Sequence, residues 1–276
     1  MTEYWKVLIL SVVQGIAEFL PVSSSGHLQV LGNWFGFEGG DNLTLNIVLH
    51  AGTLLAILVF YFQKLLSLLL EAIFRRQFRV ILLVIAGTLP TGIIGLAVRK
   101  SGLDKMIFGS IWVPVIGFAV TATLLWTAFR RGAGVRRKHT GRDLRELGVG
   151  QALWIGLVQG IAITPGVSRS GSTIAIGVKC GLKNTDAAEF SFLLAIPAIA
   201  GAMFLEVLKM SKDAALPADG AIPVGALLMG FFAAAAVGYL ALRWLIAMLR
   251  DGKLYFFAYY LYAAAALVAA VALLRG

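Results

Sequence analysis

Cysteine is almost missing from this chain. Cys180 stands alone among 276 residues, which excludes an internal disulfide and leaves no thiolate metal cluster. Charge is equally scarce: Asp, Glu, Lys and Arg make up 14% of the sequence, where a soluble domain runs near about 25%. Acidic side chains are the rarer sign, 14 against 24 basic ones, for a net charge of +10. No aromatic-basic recognition module accompanies that charge, so nucleic acid is not the expected partner. The opening MTEYWKVLILSVVQGIAEF has neither a basic n-region nor an A-x-A cleavage site, and it reads as part of the fold. Histidine occurs only at His27, His50 and His139.

Apolar side chains are what the chain has in excess, 59% of all residues, with a mean hydropathy of +0.86. Six stretches, 43–62, 80–98, 107–129, 187–208, 222–245 and 254–274, approach or exceed the roughly 20 apolar residues that cross a bilayer core. The fold class expected is an all-α integral membrane protein, a single membrane domain over 1–276 with the phospholipid bilayer as its main partner. Two shorter stretches, 5–20 and 152–163, each run into a Ser/Gly/Pro-rich loop and then a brief helical segment, 26–34 and 171–180. These read as re-entrant helix pairs, whose irregular backbone is tolerated only inside protein or beside a wet cavity.

The two short units are near-copies. QGIAEFLPVSSSGH at 14–27 and QGIAITPGVSRSGS at 159–172 share eight of fourteen residues without a gap. Each half, 1–135 and 145–276, then holds one re-entrant pair plus three transmembrane helices. Three crossings are odd in number, so the halves form an inverted repeat whose loop tips can meet near the midplane. The stretches 63–79, 130–146, 179–186 and 243–253, read as loops on one side, carry sixteen Lys and Arg residues; the other side has seven. That asymmetry predicts the first side cytoplasmic and both termini outside.

The copies differ where chemistry would sit. Glu18 aligns with Ile163, Ser24 with Arg169, and His27 with Ser172. An Arg at mid-membrane costs about 2.5–3.5 kcal/mol, so Arg169 and Glu18 are expected to do something there. Around Arg169, the small residues Gly166, Ser168, Ser170, Gly171 and Ser172 suit an anion nest at a helix start, with the guanidinium gripping phosphate oxygens. Gln14 and Glu18 lie four apart on one helix face before Pro21. Glu18 reads as a general base, or with Gln14 and substrate phosphates as part of the shell of a hard divalent cation such as Mg²⁺ or Ca²⁺. Ser24 reads as the nucleophile or the residue that orients a water, with Ser23 and Ser25 as substrate-binding or N-cap hydroxyls. His27 is placed for acid/base work, sharing the base role with Glu18 as an open alternative. His50, mid-span, reads as structural and His139 as solvated; Asn33, Asn46, Thr53, Thr88 and Thr91 read as cavity-lining. The aromatic run 255–262 reads as an interfacial belt.

These motifs resemble the undecaprenyl-diphosphatase family, the bacitracin-resistance type of integral membrane phosphatase. The first signature, (E/Q)xxxE followed by PxSSxGH, stands at Gln14–Glu18 and from Pro21 to His27. The second, PGxSRSG, stands from Pro165 to Gly171. The resemblance spans essentially the whole chain. It implies a bacterial inner-membrane hydrolase that converts undecaprenyl diphosphate to the monophosphate carrier lipid. It further implies a site that opens outward and uses Glu18, Ser24, His27, Ser168 and Arg169 with a divalent cation. Where some members carry Glu, this chain has Gln14, so the cation is expected on protein or on the diphosphate. Self-association is left open. The competing class is a lipid-phosphate flippase, since broken helices in inverted repeats also build transporters. A structural scaffold would leave the polar tips unexplained.

Overall fold

The computed structural model describes residues 2–35, 40–103, 110–130, 141–212 and 222–275; Lys105, His139 and the side chain of Asn33 fall outside these described residues. Among them the fold is helical throughout. Eleven α-helices run in the order α1 (Thr2–Phe19), α2 (Ser24–Phe35), α3 (Gly40–Phe60), α4 (Phe62–Arg75), α5 (Arg79–Ser101), α6 (Trp112–Phe129), α7 (Val149–Ile161), α8 (Arg169–Lys179), α9 (Asn184–Lys212), α10 (Val224–Asp251) and α11 (Tyr255–Arg275). Helices satisfy every backbone group within one segment, which is what a chain this apolar requires in lipid. Six of them, α3, α5, α6, α9, α10 and α11, are long and apolar enough to cross a membrane. The protein is therefore an all-α, multi-pass membrane protein. The helices stop where the sequence supplies breakers: Gly102 and Gly252 take left-handed conformations (φ 71° and 68°) at the ends of α5 and α10.

One stretch departs from expectation. Residues 63–79 read as a basic loop, yet Phe62–Arg75 folds as α4. Its apolar residues recur at helical spacing: Leu68 and Ala72 pack inward, while Leu66, Leu69, Leu70, Ile73 and Phe74 face outward. Counting charge alone hid that periodicity. The helix is tied down by Lys64 to Glu189 at 2.7 Å and by Glu71 to Arg145 at 2.7 Å.

The pairings between helices are reciprocal. Helix α1 packs along α10 as α7 packs along α5; α3 rests on α10 as α9 rests on α5; α6 and α11 pair with each other. Exchanging the partners α1 with α7, α3 with α9, α5 with α10 and α6 with α11 returns these five pairings. The crossings depend on small residues, as expected where lipid offers no hydrophobic drive for association. A Cβ at Gly156 would lie 1.8 Å from the Gly87 carbonyl oxygen, and one at Gly230 would lie 2.9 Å from Val7 and 3.0 Å from the Ser11 hydroxyl. Thr91 and Gln159 add polar ties beside the first crossing: Thr91 Oγ1 donates to the Gly156 carbonyl at 2.8 Å and accepts from Gln159 Nε2 at 3.1 Å.

A prediction follows for stability. Gly156→Ala forces two backbones apart and should cost about 1–3 kcal/mol. Gly92→Ala on the same helix pair meets nothing within 4 Å and should be neutral or slightly stabilising. Thermal unfolding of the two variants in detergent checks this; equal midpoints would refute the close crossing.

Candidate active site

The two loop tips touch, and they are built alike. In the first, the chain leaves α1 at Phe19, turns through Leu20, Pro21 and Val22, and restarts as α2 at Ser24. In the second, α7 ends at Ile161 and α8 restarts at Arg169. Each new helix is capped by the preceding serine. Gly26 N–H donates to Ser23 Oγ at 3.4 Å, and Gly171 N–H donates to Ser168 Oγ at 3.1 Å. The next serine in each copy touches the cap, Ser25 to Ser23 at 3.3 Å and Ser170 to Ser168 at 3.2 Å. Ser24 and Arg169, aligned in sequence, are thus each the first residue of a helix. Across the tips, Ser170 Oγ donates to the Leu20 carbonyl at 3.3 Å. A Cβ on Gly171 would lie 2.9 Å from Pro21 Cβ, and one on Gly26 would lie 3.1 Å from the Gly166 nitrogen, so glycine at these places is what lets the tips close. Gly166 itself sits at φ 85°, with Pro114 against it.

Glu18 is the hub. It sits in the last turn of α1 and is buried. Arg169 Nη2 donates to Oε1 at 2.6 Å. The Ser24 hydroxyl donates to Oε2 at 2.7 Å, and Gln14 Nε2 donates to the same oxygen at 3.1 Å. A hydroxyl held by a carboxylate at this distance is a nucleophile–base pair in geometry. The N-termini of α2 and α8 both begin here, and their aligned peptide dipoles favour negative charge. Arg169 packs over Phe192 at 6.0 Å, and its Nη1 is buried with no hydrogen-bond partner. An oxyanion placed there would complete it. Gln14 Oε1 and Ser172 Oγ are likewise buried without a partner.

The remaining sequence candidates divide. His27 lies near the tip, but its ring nitrogens are engaged away from Ser24: Nδ1 is 2.8 Å from the Ser23 carbonyl and Nε2 is 2.6 Å from the Tyr260 hydroxyl. Ser168, Ser170, Gly171 and Ser172 are buried, and the N–H groups of Ser168, Gly171 and Ser172 are spent on Thr121 Oγ1, Ser168 Oγ and the Ser168 carbonyl. The second loop therefore presents its guanidinium to the site and keeps these three amides inside the fold. Thr53 and Thr88 return their hydroxyls to their own helices, and Thr91 ties α5 to α7. Two residues enter that the sequence assigns elsewhere, His50 to a structural role and Tyr260 to an interfacial belt. His50 Nε2 approaches Glu18 Oε2 at 3.8 Å, and Tyr260 reaches His27. A mid-span ionisable residue was the available signal for His50; Tyr260 lies 233 positions from its partner, and no local pattern marks it.

Residues 7–267 match the family model described as bacitracin resistance protein BacA. The chain belongs to this family. It is 42% identical over 268 residues to an undecaprenyl-diphosphatase of Rhodopirellula baltica, covering 97% of this chain and 98% of that one. It is 38% identical over 288 residues to one from Alkaliphilus metalliredigens, covering 99% and 100%, and 41% identical over 280 residues to one from Desulfatibacillum aliphaticivorans, covering 93% and 95%.

The BacA-family site can be asked whether it suits a resident divalent cation. Hard cations want several oxygen ligands, and Mg²⁺ commonly takes one or two from carboxylates and the rest from substrate phosphates and waters. Here Glu18 is the carboxylate at the tips, both of its oxygens are engaged, and a guanidinium lies 2.6 Å away. Among the described residues no group of three His, Cys, Asp or Glu side chains could hold a metal. Among the described residues, protein side chains alone do not assemble a metal site.

Proposed function

We infer that this protein is a membrane undecaprenyl-diphosphatase, which hydrolyses undecaprenyl diphosphate to undecaprenyl phosphate and inorganic phosphate and so recycles the carrier lipid used for peptidoglycan and other envelope polymers. The observation that carries this reading is Glu18, bonded at once to the Arg169 guanidinium and to the Ser24 hydroxyl. An anion carrier would use Arg169 but would gain nothing from a carboxylate holding Ser24 beside it, which disfavours the flippase. Membership of the family and the shared name of its relatives point the same way.

The chain's residues divide the work. The polyprenyl tail stays in the bilayer and the diphosphate enters the polar gap. Arg169 Nη1 takes a phosphoryl oxygen, and the starts of α2 and α8 add positive potential where charge develops. Ser24 Oγ forms a bond to the terminal phosphorus as its proton passes to Glu18 Oε2, and the bond to the bridging oxygen breaks. Glu18 gives that proton to the bridging oxygen as undecaprenyl phosphate leaves. Water then bonds to the phosphorus as it loses a proton to Glu18, the bond from phosphorus to Ser24 Oγ breaks, and Glu18 returns the proton to Ser24 as phosphate is released. Gln14 steadies the carboxylate throughout. Mg²⁺ or Ca²⁺ belongs in this scheme as a companion of the diphosphate.

The reciprocal helix pairings and matching caps support an inverted repeat with re-entrant tips. Sixteen basic residues against seven support a reading in which both termini lie outside and the gap opens to the outer face of a bacterial inner membrane. Purified protein in detergent, where no gradient exists, should release one phosphate per undecaprenyl diphosphate, and a chelator should suppress release. Binding of the lipid without hydrolysis would instead favour the flippase.

A further inference from the structure

We propose that Tyr260, through His27, positions the turn that presents Ser24, so that His27 serves as a clamp on that turn rather than as the base. The assignment rests on the functional reading above for its kinetics but on geometry for its origin. Ser23 is one of two non-glycine described residues at positive φ, 68°, a conformation that disfavours an L side chain and needs outside support. Two donors from residue 27 reach the Ser23 carbonyl: the backbone N–H at 3.3 Å and ring Nδ1 at 2.8 Å. A carbonyl can only accept, so Nδ1 carries the hydrogen. In the neutral ring Nε2 is then the acceptor, and the Tyr260 hydroxyl donates to it at 2.6 Å. Tyr260 also stacks on the imidazole, ring centres 5.9 Å apart and planes within 11°, while Phe118 holds another side at 5.5 Å. Phenol, imidazole and carbonyl form one chain from α11 to the residue before the nucleophile. Ser24 itself is engaged by Glu18, leaving His27 no proton to take from it.

The chain makes a distinctive demand on side-chain shape. Asn places an N–H where His carries Nδ1, whereas Gln places its amide near Nε2. His27→Asn, which keeps the donor to Ser23 but gives up the Tyr260 bond, should therefore lose about tenfold in kcat, while His27→Ala and His27→Gln should each lose about 30-fold, the scale of one or two hydrogen bonds at the reacting turn. Tyr260→Phe keeps the ring and loses the hydroxyl; kcat should fall about tenfold with KM little changed. In the His27→Ala background the same change should have no further effect, since its route of action is gone. Tyr262→Phe is the control: it removes a similar α11 hydrogen bond, to Thr123 Oγ1 at 2.9 Å, and should leave kcat unaltered.

A second measurement needs no activity. With three histidines in the chain, two-bond ¹H–¹⁵N spectra of ¹⁵N-histidine protein can assign His27 by its loss in His27→Ala. Wild type should show the Nδ1–H tautomer, and Tyr260→Phe a mixture. An Nε2–H tautomer in wild type, a His27→Asn variant as impaired as His27→Ala, or additive losses in the double variant would each overturn the proposal. Wild-type protein that shows the Nδ1–H tautomer but releases no phosphate would overturn the functional reading alone.

Discussion

Arg169→Ala should lower kcat/KM by at least about 100-fold, about 2.7 kcal/mol of barrier, in a protein that still folds. Two losses combine. The phosphoryl oxygens lose the donor pair offered by Nη1, and Glu18 loses the cation that holds Oε1 at 2.6 Å. Because Glu18 is buried, removing its partner also leaves an unpaired charge, which in an interior costs about 3–5 kcal/mol. The stability loss should be relieved by adding Glu18→Gln, which removes the stranded charge, but the activity should not return. Glu18→Ala alone should match the loss in rate at about 100-fold or more. The double variant should be no slower than the worse single, since the two residues act as one unit. Arg169→Lys should rescue little: one ammonium cannot hold Glu18 and a phosphoryl oxygen with the planar geometry of a guanidinium. Initial rates of phosphate release, with circular dichroism and unfolding midpoints on the same samples, decide the matter. Wild-type-like hydrolysis by purified Arg169→Ala would refute the assignment.

Much of this arrangement was legible in the sequence because it is written locally and twice. The duplicated motif named Glu18, Ser24 and Arg169, and the helices restart at the aligned positions 24 and 169. The six spans followed from the length of their apolar runs, with ends moved by several residues; α9 and α10 extend past the expected spans through charged residues such as Lys212 and Arg250. What could not be read is what depends on distant packing. His50 meets Glu18 only because α3 lies beside α1, and Tyr260 meets His27 only because α11 reaches the first tip. Ser168 and Ser170 looked like ligands for an anion; whether a serine caps a helix or faces a substrate turns on which side of the tip is buried, and the pattern PGVSRSGS is silent on that. Helix α4 was missed for a different reason, a weighing of charge over periodicity.

Acid quenching during the first turnover should trap phosphate on Ser24. The reason is local: Ser24 is the hydroxyl that already donates to Glu18 Oε2, at 2.7 Å, while a water in its place would need a further site between that carboxylate and the phosphorus. Ser24→Ala should therefore lose on the order of 1000-fold in kcat with KM nearly unchanged, because Arg169 and the helix starts that bind the diphosphate remain. A phosphoserine survives acid, so label from the terminal phosphorus should be recovered in the peptide that contains residue 24. Stereochemistry gives an independent reading, since two successive in-line displacements retain configuration at phosphorus and one inverts it. Inversion, together with unlabelled protein at every quench time, would mean that Ser24 orients a water and that Glu18 takes the proton from water instead. In that case Ser24→Ala should lose far less, nearer the tenfold expected for one lost orienting hydrogen bond, and the size of the loss alone would separate the two routes.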